Sequence, residues 1–219
     1  MFPGLEITKE NNPILFDAIK TAVEKRLVVG MTSQTGWSYA HMANIYARLE
    51  DGDRALECLE LLCRSCVGPN LFTYHNDWRS QGLSMFWGHG SQPPFQIDAN
   101  FGLVAAVLEM LVFSTPGMIK LLPALPKSWK KGEIYGVLCR GGIEVDIQWD
   151  MGNNQIKTAF TSSSPQRIVV KFPGTPVSII RESKDIEIAD SNYGPNYREL
   201  ELPAYRKIEL IINLDETSL

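Results

Sequence analysis

Apolar positions recur at helical spacing through the first half of the chain and alternate or cluster in short runs through the second. Asn12-Pro13 is a helix-entry signal. Ile14, Leu15, Ala18, Ile19, Ala22 and Val23 follow on one stripe, which predicts an amphipathic helix from residue 13 to about 26, closed by Gly30. Thr35-Gly36-Trp37-Ser38 opens a second helix that runs to about Leu49. Apolar and aromatic side chains occupy most of its faces, so it should pack on several sides. Asp51-Gly52-Asp53 reads as a tight turn carrying a cap. The third helix places Ala55, Leu59, Leu62, Cys63 and Cys66 on one stripe, and with the second it forms an αα-hairpin. Leu103, Val104, Ala106, Val107, Met110, Leu111 and Phe113 predict an apolar helix from about 100 to 114, stopped by Thr115-Pro116-Gly117.

Past this point the period changes to that of strands. Residues 118–122, 133–140, 143–150, 156–161, 167–172, 177–181 and 208–213 show alternation or β-branched enrichment. Gly141-Gly142, Gly152-Asn153-Asn154 and Pro173-Gly174 punctuate them as turns. The expected fold class is therefore α+β: a helical domain over residues 1–115, then an antiparallel β-sandwich over 116–219. No internal repeat or low-complexity segment interrupts this division.

Composition narrows the function classes. The 219 residues are 44% hydrophobic and 21% charged, as in an ordinary globular protein. A net charge of −4 argues against a nucleic-acid partner, and the one dense basic spot, Lys127, Lys130 and Lys131, reads as a solvated loop. No apolar run approaches bilayer length, so no membrane partner is expected. The start, Met1-Phe2-Pro3-Gly4-Leu5, has no signal-peptide pattern. If the sequence is complete it implies a cytoplasmic protein, and a longer parent could be secreted or periplasmic. Of the four cysteines, Cys63 and Cys66 are spaced as Cys-x-x-Cys, but no second metal-ligand pair follows. They read as structural, compatible with a reducing compartment.

Candidate chemistry concentrates between residues 67 and 102. Residues 67–97 carry Phe72, Tyr74, Trp78, Phe86 and Trp87 together with His75, His89, Asn70, Asn76, Asp77 and Arg79, with no sustained period. A long loop of mixed aromatic and polar side chains offers what a sugar site needs, flat faces and convergent hydrogen-bonding groups. Asp77 reads as a loop carboxylate paired with Arg79, the alternative being a second catalytic carboxylate, and Glu109 reads as a paired or outward-facing residue of the apolar helix before it reads as a catalytic acid. His41 reads as a hydrogen-bonded core or cleft-wall residue. Trp37 either lines a sugar site or packs in the core. Asp146 and Asp150 alternate on a strand as a solvated face, without the further oxygen ligands of a calcium site. Neither a glycine-rich phosphate loop nor a nucleophile elbow is present. In Pro93-Pro94-Phe95-Gln96-Ile97-Asp98-Ala99-Asn100-Phe101-Gly102, the prolines hold an extended approach to a helix. Asp98 and Asn100 are both helix-entry residues, so Asp98 on this evidence alone reads as an N-cap.

Five ordered stretches carry a family resemblance. They are Phe2-Pro3-Gly4-Leu5-Glu6-Ile7-Thr8, then Thr35-Gly36-Trp37-Ser38 running into Ala47-Arg48-Leu49-Glu50-Asp51-Gly52, then Asn70-Leu71-Phe72. Pro94 through Gly102 is the fourth, and Leu121-Leu122-Pro123-Ala124-Leu125-Pro126 with Trp129, Arg140-Gly141-Gly142 and Trp149 is the last. The chain resembles the C-terminal part of a glycoside hydrolase family 95 enzyme, the inverting α-L-fucosidase family. The resemblance implies the last helices of an (α/α)₆ barrel followed by a C-terminal β-domain. It also implies removal of terminal α-L-fucose, or a similar L-sugar such as L-galactose, with no metal and no cofactor.

In the family an asparagine contacts the attacking water, an aspartate in this motif makes that amide more basic, and a glutamic acid protonates the leaving oxygen. Asp98 matches the aspartate, whereas the asparagine and glutamic acid lie upstream of this chain. Trp37, His75, His89 and Asn100 become candidate substrate-binding residues. So does Gln92, which stands where many members have a histidine. About four of some twelve barrel helices are visible, so a missing N-terminal polypeptide or a homo-oligomer is expected to cover exposed helices. The alternative is a catalytically inactive fragment that binds carbohydrate or completes a partner chain.

Overall fold

A computed structural model describes residues 2–28, 30–86, 93–181 and 186–216. His89, Gln92 and Trp87 lie outside the described residues. The chain divides into two compact units, Met1–Met110 and Leu111–Leu219.

The first unit holds four helices among the described residues: α1 (Pro13–Leu27), α2 (Gly36–Arg48), α3 (Gly52–Ser65) and α4 (Ile97–Leu111). Asn12 caps α1 by accepting the Leu15 N–H at 3.1 Å, with Pro13 in the first turn. The apolar stripe expected on α1 is only partly used. Val23 is the one member of that stripe that is buried, and Phe16 beside it is buried instead of Ile14, which is 80% exposed, and Leu15, which is exposed too. Helical period predicts which residues share a face, not whether that face meets a neighbour.

Helix α2 is buried on most sides, as its sequence predicts, from Tyr39 and Ala40 through Ala47 and Arg48. Asp51 caps α3 by accepting the Arg54 N–H at 3.1 Å. Its packed stripe is Ala55, Cys58, Leu59, Leu62 and Ser65, with Cys66 at the C-cap. Cys63 is therefore not on that stripe; it is exposed, and all four cysteines are free thiols. Residues 55, 58/59 and 62 are three or four apart and define one face, and position 63 falls one step beyond it.

Helix α4 starts at Ile97, earlier than the pattern suggests, and ends at Leu111. Asp98 is consequently inside the first turn, not the N-cap. Residues 112–114, expected as helix, and Thr115, expected as its stop, are strand β1 (Val112–Thr115), paired with β2 (Met118–Leu121). The two-residue turn Pro116-Gly117, with Gly117 at φ +80°, closes this hairpin. Proline supplies the first turn angle and glycine the second, so a tight turn returns the chain onto itself and the β-branched run extends.

The remaining strands are β3 (Lys131–Cys139), β4 (Ile143–Asp150), β5 (Gln155–Ser162), β6 (Gln166–Lys171), β7 (Pro176–Arg181), β8 (Ile188–Asp190), β9 (Tyr197–Leu202) and β10 (Lys207–Leu214). They form two five-stranded sheets, β1-β2-β6-β9-β8 and β3-β4-β5-β10-β7. The second is antiparallel throughout, and the first is mixed because β2 runs parallel to β6. β8 and β9 are short or charge-rich segments that alternation alone did not mark. Ile143, Val145 and Ile147 of β4, Ile156 and Phe160 of β5, Ile208, Leu210 and Ile212 of β10, and Ile168, Val170 and Leu200 of the other sheet form the core. Alternate burial on both sheets is the pattern of a β-sandwich.

Candidate functional site

Three segments of the helical unit meet around the start of α4. Gln96 donates its backbone N–H to Thr73 O at 2.8 Å, His75 donates to Pro94 O at 2.8 Å, and Tyr74 bridges to Phe95. The Thr73 hydroxyl donates to Gln96 O. This short antiparallel link docks on the N-terminus of α2, where the Gly36 N–H donates to His75 O at 3.0 Å. A Cβ at Gly36 would sit 2.4 Å from Tyr74 O, so only glycine allows the approach.

The polar residues of the Gln-Ile-Asp-Ala-Asn run divide by role. The Gln96 side chain accepts the Trp37 N–H at 2.7 Å, beside Thr35, which accepts the Ser38 N–H at 3.2 Å. Two orphan donors of α2 are thus satisfied. Asn100 Oδ1 accepts from the Thr73 N–H at 3.0 Å and lies 2.8 Å from the Thr73 hydroxyl, which shares its one proton between Asn100 Oδ1 and Gln96 O, while Asn100 Nδ2 donates to Leu71 O at 2.8 Å. Both ends of this amide hold the 71–73 loop. Asp98, between them, is exposed in the first turn of α4 and makes no hydrogen bond or ion pair with the described residues. A carboxylate there favours the helix N-terminus electrostatically.

Trp37 is half-buried and stacks on His41, with ring centroids 5.5 Å apart and planes 9° from parallel. Burial, and then the Arg26 charge, lower the His41 pKa from its ordinary value, which keeps a neutral ring under the indole. A Cβ at Gly102 would lie 2.8 Å from Ala40 Cβ and 2.9 Å from the Trp37 ring, so α4 meets α2 closely at this point. His75 Nδ1 lies 2.7 Å from Asn76 Oδ1, and Asn76 Nδ2 donates to Met85 O at 3.3 Å. With Asn76 oriented this way, Nδ1 carries the proton and a neutral His75 offers Nε2 as an acceptor. The backbones of Trp37, His75 and Gln96 are therefore brought together.

Asp77 does something other than pair with the Arg79 guanidinium. It is buried, and its carboxylate accepts the backbone N–H groups of Arg79 at 3.1 Å, Gln81 at 2.7 Å and Leu83 at 3.2 Å. It organises the loop, while the Arg79 guanidinium donates to Arg64 O and lies over the Trp78 ring. Glu109 is paired with Arg48. No cluster of three or more His, Cys, Asp or Glu among the described residues could hold a metal ion. Sequence reading missed the capping role of Gln96; its position inside the most idiosyncratic stretch was the available signal.

Comparisons with known proteins place these residues in a family. The Glycosyl hydrolase family 95 catalytic domain matches residues 1–111, and the Glycoside hydrolase family 95, C-terminal domain matches residues 113–200. Alpha-L-fucosidase 2 of Arabidopsis thaliana is 40% identical over 154 residues, covering 70% of this chain and 17% of its own length. Probable alpha-fucosidase A of Aspergillus oryzae is 31% identical over 189 residues, covering 80% of this chain and 24% of its own. The chain thus spans about a fifth of the length of these curated relatives. A crystal structure of alpha-amylase from H.orenii overlays 78% of this chain and 37% of its own at 13% identity and a TM-score of 0.25, too slight a likeness to argue from. With both matched segments in order along the sequence, the chain belongs to glycoside hydrolase family 95.

Proposed function

We propose that this chain is the C-terminal part of a glycoside hydrolase that removes terminal α-L-fucose, or a similar L-sugar, by an inverting mechanism. The observation that carries the reading is Asp98. Gln96 and Asn100 on either side are bound into the scaffold, and the carboxylate between them stays available to a group outside the described residues. Inversion needs a base to activate water on one face of the sugar and an acid on the other. A neutral amide is a weak base, and a carboxylate accepting from its NH₂ group makes the amide oxygen more basic. Asp98 would polarise an asparagine base supplied by polypeptide outside this chain, with a glutamic acid from the same source as the acid. Trp37 and His75 would line the sugar site, and Asn100 would position it by holding the 71–73 loop.

In this reading α1–α4 are helices of an (α/α)₆ barrel. Ile97, Phe101, Val104 and Leu108 form one stripe of α4, and all four are exposed, Phe101 by 70%. Barrel helices from the remaining polypeptide would cover them, as an apolar stripe of this kind requires. The test joins this chain to its upstream polypeptide and follows release of L-fucose and L-galactose from aryl glycosides, with NMR of the first-formed anomer. Turnover with inverted product, abolished by Asp98→Asn, is expected. A completed enzyme that releases neither sugar, or whose Asp98→Asn variant keeps its rate, would sink the reading.

A further inference from the structure

The outer face of the sheet β3-β4-β5-β10-β7 carries a hollow of about 360 Å³. Its floor is Ala159, which faces outward in register with Asp146 and Glu209 yet is only 6% exposed. Longer neighbours, Gln148, Lys157, Ile180 and Glu209, stand around this small residue and make the concavity. A second hollow of about 390 Å³ shares Gln148 and Lys157 and continues over Glu133. Joined at Gln148 and Lys157, the two run as one trough over β3, β4 and β5, with β10 and β7 bordering the first hollow.

At the junction stands Tyr135, 55% exposed. A β-bulge between Ile134 and Val137, with Gly136 at φ +67°, sets it there, and the Gly136 N–H donates to Asp146 Oδ1 at 2.9 Å. Bulges re-aim side chains in this way. The tyrosine hydroxyl donates to Glu133 Oε2 at 3.0 Å and accepts from Gln148 Nε2, so the ring is oriented before any ligand arrives. Pre-orientation lowers the entropy cost of binding.

Acidic and basic residues lining the trough are equal in number. Lys207 pairs with Asp146 at 2.8 Å and with Glu209 at 3.5 Å, and Lys131 pairs with Asp150 at 2.8 Å. An anionic or cationic ligand would gain little from such a surface. A protein partner would need a broad central apolar cluster, and here Tyr135 and the Ile180–Ile211 pair share the lining with charged and amide side chains. A hydroxyl-rich neutral ligand suits all of these features.

We propose that this trough is a glycan-binding surface, taking an uncharged oligosaccharide across β3, β4 and β5 with one sugar ring stacked on Tyr135. The choice of ligand class leans on the glycosidase reading above; none of the lining residues belongs to the helical unit that carries Asp98. The test is ¹⁵N NMR of the 219-residue chain titrated with a fucosylated oligosaccharide and its defucosylated counterpart. Shifts are expected at Tyr135, Gln148, Lys157 and Ile211, with roughly tenfold weaker binding in Tyr135→Ala, as loss of a ring contact implies. Tyr135→Phe should keep most of the affinity, and Gln148→Ala should lose part of it. No shift at millimolar glycan, shifts confined to the helical unit, or unchanged binding by Tyr135→Ala would overturn the inference. Binding here without turnover in the completed enzyme would keep this site and remove the hydrolase reading; turnover without binding would do the reverse.

Discussion

Arg48 grips Glu109 with two parallel hydrogen bonds, Nε to Oε2 at 2.5 Å and Nη2 to Oε1 at 2.8 Å. The pair ties the end of α2 to α4. Arg48 Nη1 also donates to Gly4 O at 3.0 Å, and the guanidinium lies over the Phe2 ring at 5.8 Å. Helix α4 and the N-terminal stretch thus converge on one α2 side chain that is 9% exposed. A planar, two-pronged donor suits this task, and lysine could not replace it.

Removing Glu109 takes the carboxylate away from a buried guanidinium, and removing Arg48 takes the charge partner from a half-buried carboxylate. Glu109→Ala should destabilise the helical unit by about 3 kcal/mol, and Arg48→Ala by at least as much. Urea denaturation followed by far-UV circular dichroism would measure both. A loss in Glu109→Ala within the scatter of surface substitutions would show that the pair is not a lock.

The motif around Asp98 should separate cleanly in stability measurements. Gln96→Ala leaves the Trp37 N–H at the start of α2 unmatched while Thr35 still caps the helix, and should cost about 1 kcal/mol. Asn100→Ala removes three hydrogen bonds and leaves loop donors unmatched, for about 2 kcal/mol. Asp98→Asn removes only an exposed charge near a helix N-terminus and should stay within about 0.5 kcal/mol. Thermal melts of the three variants check the ordering, and a large loss in Asp98→Asn would make that residue structural.

Two glycines should resist substitution because of their neighbours. Gly36→Ala would press a methyl against the Tyr74 carbonyl, and Gly102→Ala would press one against Ala40 and Trp37. Each should cost about 1–3 kcal/mol by overpacking. Trp37 fluorescence should also shift in Gly102→Ala. A neutral result at either position would mean that the helices separate easily there.

The acid limb of the stability profile should depend on Asp146. Its hydrogen bond with Lys207 holds the carboxyl below 3.8, its ordinary value, helped by the Gly136 N–H. A carboxyl depressed on folding contributes stability that is present above its unfolded value and lost as pH falls through the folded one. Lys207 is raised by the same contact, so its contribution holds below 10.5 and fades as pH rises past its folded value. Asp146→Asn should flatten the decline in urea midpoint between about pH 5 and about pH 2, more visibly at low salt. An unchanged acid limb would show that the exposed pair is fully screened.

The division of labour between sequence and tertiary structure is clear at particular residues. Periodicity alone separated a helical half from a β half and located the α2–α3 hairpin, and local capping chemistry at Asn12, Thr35 and Asp51 marked its helix starts. The stretch from Pro93 to Gly102 read as a helix entry from its residue types, and its resemblance to glycoside hydrolase family 95 marked it as a candidate site. These are local signals, written within a few residues of where they act.

Tertiary structure decided which partner each group finds. It locked Glu109 onto Arg48, 61 residues away, buried Asp77 among backbone donors, and engaged Gln96 and Asn100 with distant loops. It left Asp98 uncommitted among the described residues and turned Cys63 outward. It also exposed an α1 face that periodicity marked as buried, and converted Val112–Thr115 to strand because Met118–Leu121 was there to pair with it. The physical reason is common to all of these. Spacing along the chain fixes a residue's face, whereas its energy depends on what lies opposite, and that is set by contacts far apart in sequence.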